Sequence, residues 1–129
     1  MKLRRTDGPA FMRIWERTMS FTKVCTVEDL WEGEMESFTV NGHDILLVCA
    51  EGGEFKAFQG ICPHQDIPLS EGKFDGQRII CRAHLWQFDA ASGQGINPDD
   101  CALAQYPVKL DGDDILVRTE GVSPLFAHS

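Results

Sequence analysis

Several things are scarce in this 129-residue chain, and each absence excludes something. No run of eighteen apolar residues occurs, so nothing reads as a membrane-spanning helix. Basic charge is outnumbered, with 12 Lys and Arg against 20 Asp and Glu and a net charge of −8. That balance argues against a surface built for nucleic acid or an anionic membrane. Helical periodicity is missing: no stretch of ten or more residues keeps a 3.6-residue repeat. The cysteines do not come in an even number, since there are five, so a fully paired disulfide framework is excluded. A G-x-G-x-x-G dinucleotide fingerprint and a carboxylate–histidine diiron set are both lacking. What remains is one domain's worth of soluble chain, 43% hydrophobic and 25% charged.

The charge is uneven. Residues 1–19 carry five basic and two acidic side chains, leaving a net −11 for residues 20–129. Arg4-Arg5 is followed by Asp7, Gly8 and Pro9, and Arg13 interrupts Phe11, Met12, Ile14 and Trp15. The apolar centre of an export signal is therefore missing. Residues 1–18 are expected to be a disordered extension, with Met19 opening the working domain at 19–129. Unpaired thiols in an unexported chain fit a reducing, cytoplasmic setting, and a monomer is expected.

From residue 20 the sequence reads as short strands, giving an all-β class. Phe21–Val27 alternates, with Thr26 expected to cap a single helical turn through Glu28-Asp29-Leu30. Met35–Val40 and Ile45–Ala50 flank Asn41-Gly42, a strong hairpin signal. Gly52-Gly53 turns the chain into Phe55–Gln59, and Tyr106–Leu110 with Ile115–Thr119 flank a second hairpin at Asp111–Asp114. Between them, Gly60 to Pro98 is rich in Gly, Pro and Asp, with short apolar pieces at Arg78–Cys81 and Leu85–Phe88. A long irregular stretch in a compact domain is usually functional.

That stretch carries Cys62-Pro63-His64 and, after sixteen intervening residues, Cys81-Arg82-Ala83-His84. Each half supplies one thiolate and one imidazole, a donor set suited to zinc or to an iron–sulfur cluster. Zinc fingers group two cysteines in one half and two histidines in the other, which these mixed halves do not. In a Rieske [2Fe–2S] centre two histidines replace two cysteines on one iron. Cys62 and Cys81 are expected on the inner iron, His64 and His84 on the outer.

Further stretches widen the match: Trp31–Glu36, Cys62–Gln65, Leu69–Gly72, Cys81–Trp86 and Gly95–Cys101. With them, Met19 to Ser129 resembles the Rieske ferredoxin component of bacterial toluene and aromatic monooxygenases. The resemblance implies an antiparallel, sandwich-like base and a smaller subdomain whose two loops bind one [2Fe–2S] cluster. It also implies a non-catalytic one-electron carrier, fed by an NADH-dependent flavoprotein reductase and discharging to a diiron hydroxylase. Two alternatives of the same chemistry are the ferredoxin of a ring-hydroxylating dioxygenase and a small Rieske subunit of a reductase. A zinc-stabilised interaction module without redox function is the alternative of a different class.

High-potential Rieske proteins resemble this motif but add a disulfide between the cluster loops, where Ile67 and Ala83 stand here. They also carry serine and tyrosine hydroxyls where this chain has Trp86 and Phe88. Fewer donors and an acidic body predict a potential near the low end of the roughly −150 to +300 mV Rieske range. The resemblance also makes Asn97-Pro98 the loop covering the cluster. Trp86 is expected to pack against the site, and Gly60 and Gly72 to permit tight backbone. His43 is expected at the surface and His128 in a mobile end. Cys25, Cys49 and Cys101 read as buried structural thiols. Glu32, Glu34 and Glu36, like Asp111, Asp113 and Asp114, read as solvated acidic faces.

Overall fold

The computed structural model describes residues 21–64, 67–83 and 85–126. Eleven strands are found there: β1 (Thr22–Thr26), β2 (Met35–Val40), β3 (His43–Ala50), β4 (Glu54–Gln59), β5 (Lys73–Phe74), β6 (Arg78–Ile80), β7 (Gln87–Asp89), β8 (Gly95–Asn97), β9 (Gln105–Tyr106), β10 (Val108–Asp111) and β11 (Asp114–Val117). One 3-10 turn, Leu69–Glu71, precedes β5, and no α-helix occurs among the described residues. No helix there is long and apolar enough to cross a membrane.

The strands form three antiparallel sheets, ordered β1-β11-β10, β2-β3-β4-β9 and β5-β6-β7-β8. The all-β expectation therefore holds. The Asn41-Gly42 hairpin is as expected: φ is 52° at Asn41 and 81° at Gly42, and Val40 pairs with His43. Two consecutive positive φ values match the right-handed twist of the flanking strands. The second hairpin is tighter than expected, with Asp111 paired to Asp114 around Gly112-Asp113. Its first arm is broken at Pro107, which lacks an N–H for a ladder. Gln105–Tyr106 instead pairs with Ala57 and Phe58 of β4.

The middle sheet is a wall between two cores. In β3, Leu46 and Val48 point into a core with Phe58, Leu69, Ile79, Phe88 and Leu103. Ile45, Leu47 and Cys49 point the other way, to Leu30, Ala57, Tyr106, Ile115 and Val117. Period-two alternation explains how neighbours serve opposite faces. A strand covered on both faces needs an unbroken apolar run, and β3 supplies one from Ile45 to Ala50. Each fully buried Leu, Ile or Val there contributes about 1.5–3 kcal/mol.

Two expectations are corrected. Thr26 does not cap a helical turn. The Asp29 carboxylate accepts from the Thr26 N–H at 2.9 Å and from its hydroxyl at 3.1 Å, closing a non-helical turn from the opposite direction. His43 is half-buried rather than superficial: its Nδ1 lies 3.2 Å from the Tyr106 hydroxyl, and the rings meet edge to face. Being opposite Val40 in the hairpin, it is drawn towards the base instead of out at the turn.

Candidate metal centre

Two loops leave the β5–β8 lobe and the end of β4, and they are closed in the same way. The N–H of Cys62 donates to the carbonyl of Ile67 at 2.9 Å, and that of Cys81 to the carbonyl of Trp86 at 2.8 Å. In both, the cysteine amide reaches the carbonyl five residues on, so each thiol sits at the root of its loop. The first loop is tied further by Leu69 N–H to the Gly60 carbonyl at 2.8 Å and by an Ile61–Pro68 bridge.

Both thiols are fully buried in the core that contains Leu46, Phe58 and Phe88. Burial pushes the Cys81 thiol up to about 11; the Ala83 amide opposes this, and a hydrogen bond and negative charge from Cys62 reinforce it. The two sulfurs are therefore neighbours. Two thiolates side by side in an apolar site repel, and a bound cation offsets that repulsion. Ile67 and Ala83 pack against the same core as half-buried apolar side chains.

His64 is half-buried, with its Nδ1 turned to the interior. Its ring stacks on Trp86, centroids 4.5 Å apart and planes at 28°. Trp86 thus packs against the site as expected, and does so on the first loop's histidine. His84 lies outside the described residues, as do His128 and the 1–18 extension. Among the described residues no three His, Cys, Asp or Glu side chains surround a single ion. A two-iron group does not require that, because sulfur serves one iron and imidazole the other.

The donor chemistry fits a [2Fe–2S] group: two soft sulfurs meet in the apolar core, and the first loop's imidazole stacks on Trp86. Cys101 is buried in the same core, its thiol 3.6 Å from the Pro98 carbonyl. Burial raises its pKa, as do the charges of Asp100, Cys62 and Asp99. The Asn97–Pro98 peptide is cis, and Asn97 pairs with Gln87, beside Trp86. Gly72 passes so close to the second loop that a Cβ would overlap the Ile80 carbonyl. Gly60 is less tight: a Cβ there would sit 3.0 Å from the backbone of Asp44.

Three features escaped the sequence reading. Arg82 Nε donates to Glu71 at 2.7 Å, linking the second loop to the turn that follows the first. Leu85 has φ 55° and is 65% exposed, although leucine disfavours that conformation and nothing in the sequence marks it. Gln59 is buried and fully hydrogen-bonded, and a lone glutamine in a strand carries no signal.

Comparison with known proteins agrees with this geometry. The family model described as the Rieske [2Fe–2S] domain matches residues 20–107. The ferredoxin component of the alkene monooxygenase system of Xanthobacter autotrophicus is 48% identical over 104 residues, covering 79% of this chain and 84% of that protein. The ferredoxin component of biphenyl 2,3-dioxygenase of Rhodococcus jostii is 41% identical, covering 80% and 96%. Among solved structures, the ferredoxin of carbazole 1,9a-dioxygenase from Nocardioides aromaticivorans superposes with a TM-score of 0.70 at 29% identity, covering 76% and 96%.

Proposed function

Because the chain belongs to the Rieske [2Fe–2S] family, we propose that it carries single electrons from an NADH-dependent flavoprotein reductase to a diiron hydroxylase that oxidises aromatic hydrocarbons. Its relatives are ferredoxin components of oxygenase systems, electron carriers and not catalysts, and one Rieske cluster is the cofactor. The hydroxylase type and the aromatic substrate are the finer parts of this reading. The observation that carries the monooxygenase assignment is that the monooxygenase-system relative shares more of this sequence than the biphenyl dioxygenase relative does. Service to a ring-hydroxylating dioxygenase is the second reading, favoured by that 41% relative and by the carbazole dioxygenase ferredoxin fold.

In this reading Cys62, His64, Cys81 and His84 hold the cluster, whose contribution is to accept and release one electron. The protein's own part is to keep the sulfurs dry and the histidine side near the surface. Burial of Cys62 and Cys81 supports the first, and the half-buried ring of His64 supports the second. Trp86 and Phe88 bring no hydroxyl to the site, and the body is acidic, so the potential falls near the low end of the roughly −150 to +300 mV range. The exposed faces at Glu32, Glu34 and Glu36 favour docking to basic partner surfaces, in a cytoplasmic setting.

The test is reconstitution. Purified protein and a flavoprotein reductase are combined either with a diiron aromatic hydroxylase or with a Rieske dioxygenase, and NADH-dependent product is measured. Hydroxylation by the diiron enzyme, abolished by Cys62→Ser or His84→Ala, is the expected result. Turnover only with the dioxygenase overturns the monooxygenase assignment in favour of the second reading.

A further inference from the structure

Gln59 ends β4 and is 1% exposed, one of two buried polar residues among those described. Its amide has four bonding positions, two donors and one oxygen with two lone pairs. All four are used. Oε1 accepts from the N–H of Ala104 at 2.8 Å and from that of Leu125 at 2.8 Å. Nε2 donates to the carbonyl of Ile61 at 2.8 Å and to that of Leu125 at 3.0 Å. Two N–H groups face one end and two carbonyls the other, so the partners fix which way the amide points.

These partners come from three separate segments: the root of the first loop, the lead into β9 and the stretch after β11. An apolar side chain would fill the same space but leave four backbone groups without this partner, the Ala104 N–H in a buried position, where a lost bond costs about 1–3 kcal/mol. The most consequential partner is Ile61. The peptide joining Ile61 to Cys62 is held at both ends, its oxygen by Gln59 and its N–H by the Ile67 carbonyl. That clamp fixes the plane from which the Cys62 side chain leaves. Leu125 meets the same amide through its backbone alone; its side chain is 47% exposed and borders a cleft of about 440 Å³ beside Asp99–Ala102.

We infer that Gln59 is a positioning residue for the cluster site, setting the orientation of Cys62 and coupling it to the Leu125 segment. This rests on Cys62 being a ligand. Outer contacts of this kind orient ligands and tune a metal's electronics.

Three variants test it in the full-length, cluster-loaded protein. Gln59→Leu removes all four bonds. Gln59→Glu keeps the two acceptor bonds and loses both donor bonds. Leu125→Pro removes one N–H at an exposed position. The readouts are reduction potential, EPR g-values of the reduced protein, and hydrogen exchange of the peptide spanning residues 60–69 by mass spectrometry. Both Gln59 variants are expected to shift the potential and the g-values and to speed exchange of that peptide about tenfold. Leu125→Pro is expected to move all three the same way by less. A lowered melting temperature with all three readouts at wild-type values overturns the inference. Should Gln59→Leu not fold, Gln59→Glu and Leu125→Pro decide alone. Cys62→Ser, run alongside, separates the two ideas: full iron content in that variant refutes the ligand assignment, while the exchange response of Gln59→Glu still reads the clamp.

Discussion

Gly72→Ala is the substitution that bears hardest on the proposed site, and its effect follows from space alone. The residue has φ −90°, outside the left-handed region, so a positive φ is not what glycine supplies. It supplies room. A Cβ would overlap the Ile80 carbonyl oxygen, sit 3.0 Å from that carbonyl carbon and 3.2 Å from the Arg82 amide nitrogen. Those residues flank Cys81. Restoring ordinary contact moves one backbone segment against the other by on the order of 1 Å, in an interior with little slack. Overpacking costs roughly 1–3 kcal/mol; two rigid backbones meeting put this case near the top, about 3 kcal/mol.

Gly76→Ala is the control. It lies in the same sheet's first hairpin with φ 96°, but its nearest neighbours would be 3.8 Å away. That change strains φ without crowding anything, at about 1–2 kcal/mol. Iron content, visible absorbance and thermal melting are measured on both. Gly72→Ala should lose most of its iron and melt at least several degrees lower. Gly76→Ala should keep its iron and lose only melting temperature. A Gly72→Ala protein with wild-type iron, melting above Gly76→Ala, refutes the reasoning.

Three further outcomes are expected. Trp86→Ala removes the ring stacked on His64; it should destabilise by about 2 kcal/mol, below the 3–5 of a fully buried aromatic, and alter visible circular dichroism, whereas Trp86→Phe keeps most of both. The Asp75 carboxylate accepts from the amides of Gln77 and Arg78, which hold its pKa below the ordinary carboxylate value. Its contribution is therefore present above that ordinary value and fades as pH falls through the lowered one; Asp75→Asn should flatten this part of the acid limb in urea titrations from pH 6 to pH 2. Burial pushes the Cys25 thiol up to about 11, with Asp29 and Glu36 adding to the effect. The folded form thus holds its proton longer than the unfolded one, so this residue's contribution is complete below about pH 8.5 and declines towards pH 11; Cys25→Ala should make the alkaline loss of stability shallower, and native protein at pH 8 should resist iodoacetamide at this residue by peptide mapping.

The parts of the molecule written in consecutive residues were legible in advance. Asn41-Gly42 specifies its turn locally, and the Rieske family is legible in a motif whose cysteine and histidine stand two or three apart, informative without any neighbour. The strands of two or three residues between Lys73 and Asn97 were not, since their pairing is decided by what lies across the sheet. Thr26 and Asp29 illustrate a local ambiguity: either side chain can serve as acceptor, and only the path of the chain into Leu30 chooses. The stacking of Trp86 on His64 joins residues from different loops, and the partners of Gln59 span Ile61 to Leu125. No window of sequence contains such contacts.

The double-faced strand β3 has a consequence for how the protein comes apart. The lobe holding the proposed cluster loops and the base are distinct as sheets, yet neither owns its core, because each borrows alternate side chains of one strand. Slipping that strand by one residue would exchange the contents of both cores at once. Division into two independently melting units is therefore not available to this chain. A blow to the cluster lobe should be felt by the hairpins of the base, and the amides of Ile45–Ala50 should be the last in the molecule to exchange with solvent.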